Sequence, residues 1–134
     1  MRHRAIALGL ALALASSAHP AAAQIEVAEA SIEQLQQAMA SGRATSAGIV
    51  AAYLARIEAY DQAGPRLNAM IRVNPNALAE AEVSDRERAA GRVRGALHGI
   101  PIVLKDNYDT FDMPTSGGTL ALATSRPRDD AFQV

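Results

Sequence analysis

Gly95-Ala96-Leu97-His98-Gly99-Ile100-Pro101-Ile102-Val103-Leu104-Lys105-Asp106-Asn107, followed by the turn-rich Met113-Pro114-Thr115-Ser116-Gly117-Gly118, decides how the 134-residue chain is read. Ile100 to Leu104 is a short apolar run with β-branched residues, bounded by Gly on one side and Lys-Asp-Asn on the other. That pattern predicts a buried strand. A charged pair at the exit of a buried strand is where α/β proteins place their chemistry. Among the 13 Lys and Arg residues, Lys105 is the only lysine. Arg serves every solvated role but cannot become a neutral base, whereas a desolvated Lys can. Lys105 is therefore the leading candidate for function, against the alternative of an ordinary solvated strand-end lysine.

Upstream, Met1-Arg2-His3-Arg4 precedes an unbroken apolar run from Ala5 to Ala15, and small residues lead to Ala21-Ala22-Ala23. A basic start, an apolar stretch and an Ala-x-Ala site predict a secretory signal peptide over residues 1–23. The apolar run is shorter than the roughly 20 residues that span a bilayer. The expectation is an exported protein, periplasmic or extracellular, with no membrane attachment after cleavage. Residues 24–134 then form one domain at most.

Composition narrows the chemistry. The net charge is −1, and the arginines are scattered among acids rather than gathered in a stripe, so nucleic acid is not an expected partner. The absence of Cys excludes disulfides, a thiol nucleophile and thiolate metal sites. His98 is the only histidine beyond the leader, so a histidine metal cluster is excluded as well. Placed before Gly99 and a proline, His98 reads as packing at a turn rather than as a triad member.

The remaining pattern is α, α, β, α, β. After a tether to Ala30, Ser31 and Gln34 form a capping box for a helix carrying Ile32, Leu35 and Met39, stopped by Gly42. Thr45 or Ser46 caps a second helix with the stripe Ile49, Val50, Tyr53, Leu54, Ile57 and Tyr60, ended by Gly64-Pro65. Alternation from Leu67 to Val73 predicts a half-buried strand. Asn74-Pro75 opens a charged third helix running to about Ala90, in which Glu82 and Arg86 are paired four apart. Beyond Lys105 the chain is irregular, until Asp129-Asp130 caps a helix beginning at Ala131. Helices alternating with strands imply α/β architecture. A chain that stops one turn into a helix is expected to be the N-terminal piece of a longer one.

Gly99 to Asn107 with Met113 to Gly118 resembles the catalytic-lysine segment of the amidase signature hydrolases, and the approach from Ser31 onward is similar too. With the leader, the pattern is most like the exported, peptide-amidase-like members. The resemblance implies a central mixed β-sheet flanked by helices, incomplete in this chain. It implies hydrolysis of carboxylic amides, C-terminal peptide amides among them, without metal or cofactor. A serine attacks the carbonyl, and a second serine, held in a cis peptide, relays its proton to a neutral lysine. By resemblance Lys105 is that base, Asp106 and Asn107 brace its loop, and Thr115, Ser116, Gly117 and Gly118 lie near the substrate channel. The family's Gly/Ser-rich signature, which carries both serines, is not found before Val134, and neither Ser116 nor Ser125 sits in the motif that would replace it. The expectation is thus an incomplete catalytic set, inactive alone. Thr115 to Thr119 also departs from the commoner Thr-x-x-Gly-Ser form. Competing expectations are the amidotransferase branch of the same family, which transamidates charged tRNA, a non-catalytic exported module binding an anionic ligand through Lys105, and a non-functional truncated product.

Overall fold

A computed structural model describes residues 25–134, so the expected leader lies outside the described residues. Three α-helices dominate: α1 (Ile32–Ala40), α2 (Ser46–Ile57) and α3 (Ala77–Ala89). The capping box at α1 forms as its residues dictate. The Ser31 hydroxyl accepts from the Gln34 amide at 3.2 Å, and the Gln34 side chain accepts from the Ser31 amide at 2.8 Å. Thr45 rather than Ser46 caps α2, its hydroxyl accepting from the Gly48 amide at 3.0 Å. Two residues past Ala40, Gly42 takes a φ of 72°, where the chain leaves the helix.

The core lies between α1 and the N-terminal half of α2. Val27, Leu35, Ala38, Met39, Ala44 and Ile49 are buried together, with Tyr53 and Ile100 packed on them. Each large member contributes roughly 1.5–3 kcal/mol by leaving water. Residues 25–30 are therefore seated rather than a tether, since Val27 is in the core and the Tyr53 hydroxyl donates to its carbonyl at 3.1 Å. The α1 stripe is rotated from expectation: Ala38 is buried and Ile32 exposed. Along α2 the expected stripe is buried at Ile49 and Val50 and reaches solvent by Tyr60.

The helix α2 does not end at Gly64-Pro65 directly but widens into a π-helical turn, Glu58–Gln62. Helix α3 starts two residues later than expected. The Asn74 side chain accepts from the Asn76 amide at 2.8 Å, making a turn ahead of the helix, and Ala77 is the first helical residue. Its Glu82–Arg86 pair forms at 3.8 Å on an open surface, where such pairs contribute little.

Neither expected strand forms a ladder, and no strand occurs among the described residues. For residues 67–73 the cause is local. Arg66 and Asn68 adopt left-handed φ values of 56° and 51°, which break the pleat. The buried Asp61 carboxylate takes the Ala69 and Met70 amides at 2.7 and 3.2 Å, so those donors are not free for a ladder. For residues 100–104 the cause is the missing neighbour. Ile100 packs on the core, but Ile102 and Val103 are 60% and 74% exposed, with no second segment beside them to pair with among the described residues. The mixed sheet is thus absent among the described residues. The tail also differs: Asp130 accepts from the Phe111 amide at 3.0 Å instead of capping a helix, and Ala131 to Val134 is a single turn.

Candidate functional site

All three helices grip the turn that leads into the apolar run. From α1, the Gln36 amide donates to the carbonyls of Ala96 and His98 at 2.7 and 3.0 Å. From α3, the Arg88 guanidinium donates to the same His98 carbonyl at 3.0 Å and to Gln36 at 2.8 Å. At the start of α2, the buried Ser46 hydroxyl donates to the Gly99 carbonyl at 2.7 Å. The Asp85 carboxylate, also from α3, accepts the Ser46 and Ala47 amides at 2.7 and 3.0 Å, adding negative charge where the helix dipole favours it. Gly99 sits at φ 78°, and a Cβ there would lie 3.1 Å from Ser46 and 3.3 Å from Met39 Sδ. Glycine meets both the angle and the contact without strain.

His98 belongs to this scaffold, as a packing residue would. It is buried, and its Nε2 lies 2.9 Å from the Ser84 carbonyl while Nδ1 accepts from Arg94 Nε at 3.2 Å. These contacts use both ring nitrogens to tie the turn to α3 and to Arg94. Glu87 approaches Arg94 at 3.1 Å as an ion pair at the edge of the same cluster.

Past the turn, Lys105 is exposed at the lip of a cleft of about 70 Å³ that is also lined by Arg72, Leu104, Asp106, Met113 and Thr115. The apolar enclosure expected around its amine is not supplied by the described residues, because Leu104 and Val103 are themselves exposed. Asn107 is exposed too, and the chain turns beyond it, with the Tyr108 amide donating to the Lys105 carbonyl at 3.0 Å.

Asp106 brings the two sequence-predicted groups together. Its carboxylate accepts the Ser116 hydroxyl, the Ser116 amide at 3.2 Å and the Gly118 amide at 3.3 Å. Its backbone carbonyl accepts the Gly117 amide at 2.7 Å. Gly117 and Gly118 have φ values of 57° and 75°, which lets successive N–H groups turn toward one residue. The Ser116 hydroxyl foremost, then the Ser116 and Gly118 amides and the charge of Arg72, hold the Asp106 carboxyl below its ordinary range against the opposing effect of burial. Ser116 is buried by this clasp, so it faces Asp106 rather than the cleft. Thr115 does line the cleft, and its hydroxyl donates to the Tyr108 carbonyl at 3.2 Å.

Arg72 carries no signal of this kind in the sequence. It occupies a polar position in an alternating segment, where an arginine reads as solvent-facing. In the folded chain it lines the Lys105 cleft and donates to the Ala123 carbonyl at 2.6 Å. No group of three or more His, Cys, Asp or Glu residues is placed to hold a metal ion among the described residues.

Residues 48–134 match the family model described as Amidase. A protein of Schizosaccharomyces pombe named as an amidase is 43% identical over 116 residues, covering 86% of this chain and 19% of that protein. A component of the glutamyl-tRNA(Gln) amidotransferase of Chloroflexus aurantiacus is 38% identical over 110 residues, 81% of this chain and 22% of that component. Among solved structures, the native peptide amidase of Stenotrophomonas maltophilia superposes with a TM-score of 0.75 at 52% identity, covering 77% of this chain and 21% of that one. An amidase family protein of Bacillus anthracis gives 0.73 at 38% identity, covering 78% and 21%. The chain thus spans about a fifth of the length of the relatives it matches.

Proposed function

The chain belongs to the amidase family, and on that premise we propose that it supplies the lysine base of an amide hydrolase acting on carboxylic C–N bonds. The substrate class favoured is a peptide bearing a C-terminal amide, since the chain is 52% identical to the Stenotrophomonas maltophilia peptide amidase across 77% of its own length. The observation that carries the reading is the position of Lys105. The only lysine of the sequence stands at a cleft beside the Thr115–Gly118 loop, on a segment whose neighbour Asp106 is clasped by that loop.

In the proposed reaction a serine attacks the amide carbonyl, a second serine in a cis peptide relays its proton, and neutral Lys105 accepts it. Lys105 then returns the proton to the leaving ammonia or amine as the C–N bond breaks, which leaves the acyl group on the serine. A water molecule, deprotonated through the same relay, hydrolyses that ester and releases the carboxylic acid. Two such serines are not among these residues, so we assign them to further sequence of the amidase length that this chain does not span. The exposed apolar run from Ile102 to Leu104 is the edge that such sequence would pair with and cover. Covering it would also desolvate the Lys105 amine, which favours the neutral form a base needs. Asp106 and Asn107 support the lysine loop, and Thr115 faces substrate. We place the protein outside the cytoplasm on the strength of the leader-like residues 1–23.

The 38% identity to the amidotransferase component supports a second reading, in which the released ammonia is passed to a charged tRNA. Export opposes it, because charged tRNA is cytosolic.

Genomic sequencing through the codon after Val134 tests the proposal. An open frame entering a Gly/Ser-rich segment with two suitably spaced serines supports it, and ammonia release from a C-terminally amidated dipeptide by that product completes the test. A stop codon at that point removes the nucleophile and defeats the hydrolase reading for this gene product.

A further inference from the structure

Thr115 to Ser125 forms a closed loop of its own. The Thr115 amide donates to the Ser125 carbonyl at 2.9 Å, and just below this neck Arg126 donates to the Asp112 carbonyl at 3.1 Å. Inside it, a 3₁₀ turn at Leu120–Leu122 spaces the limbs apart. Compact loops with joined ends and their own internal bonds are held as units, and they often serve binding. This one is anchored to earlier parts of the chain at two places. Its first limb is gripped by Asp106 through Ser116, Gly117 and Gly118. Its second limb is held by Arg72, through the Ala123 carbonyl at 2.6 Å. Asn74, two residues beyond Arg72, adds a longer contact of 3.4 Å to Asp112 beside the neck.

The two anchors come from different parts of the chain. Arg72 lies on the segment that the Asp61 carboxylate fixes after α2, and Asp106 directly follows Lys105. Both also line the cleft at which Lys105 stands, together with Thr115 at the loop's root.

We propose that Arg72 and Asp106 are positioning residues that fix the Thr115–Ser125 loop, one anchor on each limb, and thereby hold its root, Thr115, as part of the wall of the Lys105 cleft. The inference rests on the amidase reading only for the identity of what the wall contacts, an amide substrate. The two anchors and the place of Thr115 in the cleft lining are properties of the chain. A substrate wall acts on binding geometry, so losing an anchor weakens substrate binding first and the chemical step second. Arg72 is the more informative of the pair, because its hydrogen bond runs to the far limb and leaves the backbone beside Lys105 untouched.

Hydrogen–deuterium exchange on the 134-residue chain tests the wall without requiring activity. Asp106→Asn and Ser116→Ala each remove part of the first grip, and Arg72→Met removes the second while keeping the aliphatic stem. The expected result is exchange about tenfold faster at Ser116 to Gly118 in the first two variants. In Arg72→Met the same change appears at Thr115 and Ser125, with the α2 amides unchanged as the control for folding. Arg72→Lys, which can still donate to the Ala123 carbonyl, restores at least half of the lost protection. Unchanged exchange in Arg72→Met, or loss spread evenly through α2, overturns the proposal. In the complete amidase polypeptide, Arg72→Met raises KM several-fold with kcat within about twofold, and an unchanged KM overturns the role in substrate binding. If the parent polypeptide releases no ammonia, the amidase reading fails while the exchange pattern still decides the wall.

Discussion

Gly99 lies in the turn at which three helices and the Lys105 segment meet. Its φ of 78° strains any other residue, and a Cβ there would press on Ser46 at 3.1 Å. Gly99→Ala combines left-handed strain of about 1–2 kcal/mol with the contact against Ser46. The expected outcome is a loss of about 2 kcal/mol or more in chemical denaturation of the chain, and a loss below half of that would show that the turn relaxes freely. Asp106 gives a prediction of a different kind. Its carboxyl is held below its ordinary value of 3.8 by the Ser116 hydroxyl and the loop amides. A lowered folded value means that the carboxylate stabilises the fold above that ordinary value. The contribution is lost as pH falls below 3.8 and through the lowered folded value. Acid titration followed by amide NMR should show the Gly118 amide shifting with a midpoint below 3.8. The shift should disappear in Asp106→Asn, and a midpoint above 3.8 in the parent chain would contradict the clasp.

At the scale of elements, what is legible in the sequence follows from local chemistry. The Ser31–Gln34 box, the Thr45 cap and the glycine stop at Gly42 are short-range devices, complete within a few residues. Thr45→Ala should therefore cost about 1 kcal/mol, read as a lower midpoint in urea, because the Gly48 amide loses its acceptor. An unchanged midpoint would mean that Asp85 alone suffices to cap α2. The strands are not legible in the same way. Alternation in Leu67 to Val73 is a statement about faces, and it holds only if a neighbour accepts the amides. Here Asp61 takes two of them across eight and nine residues, a competition that periodicity does not reveal. The π-helical widening at Glu58–Gln62 places that Asp61 carboxylate, and it too has no pattern in an apolar stripe. The site is legible in part. Lys105, Asp106 and Thr115 line one cleft, whereas Arg72, which lines it too and also donates to the Ala123 carbonyl 51 residues on, carries no signal in the sequence.

For the whole molecule, the enclosed core of the described residues is confined to the helices and the segments on them. Val103, Leu120 and Phe132 beyond Gly99 are 74%, 94% and 101% exposed, and Leu67 and Ile71 before it are 68% and 59% exposed. In the proposed enzyme these side chains supply a face for further sequence to cover. The chain spans about a fifth of the length of its relatives, and in the proposed enzyme the remaining length covers this face and brings the two serines to Lys105. The most direct test of that claim is ammonia release from a C-terminally amidated peptide by the complete polypeptide, parent against Lys105→Ala, with circular dichroism confirming equal folding. A general base contributes on the order of 10²–10⁴ in rate, so kcat should fall by at least a hundredfold in the variant. Activity retained within a few-fold would remove Lys105 from the chemistry and, with it, the role proposed for this chain.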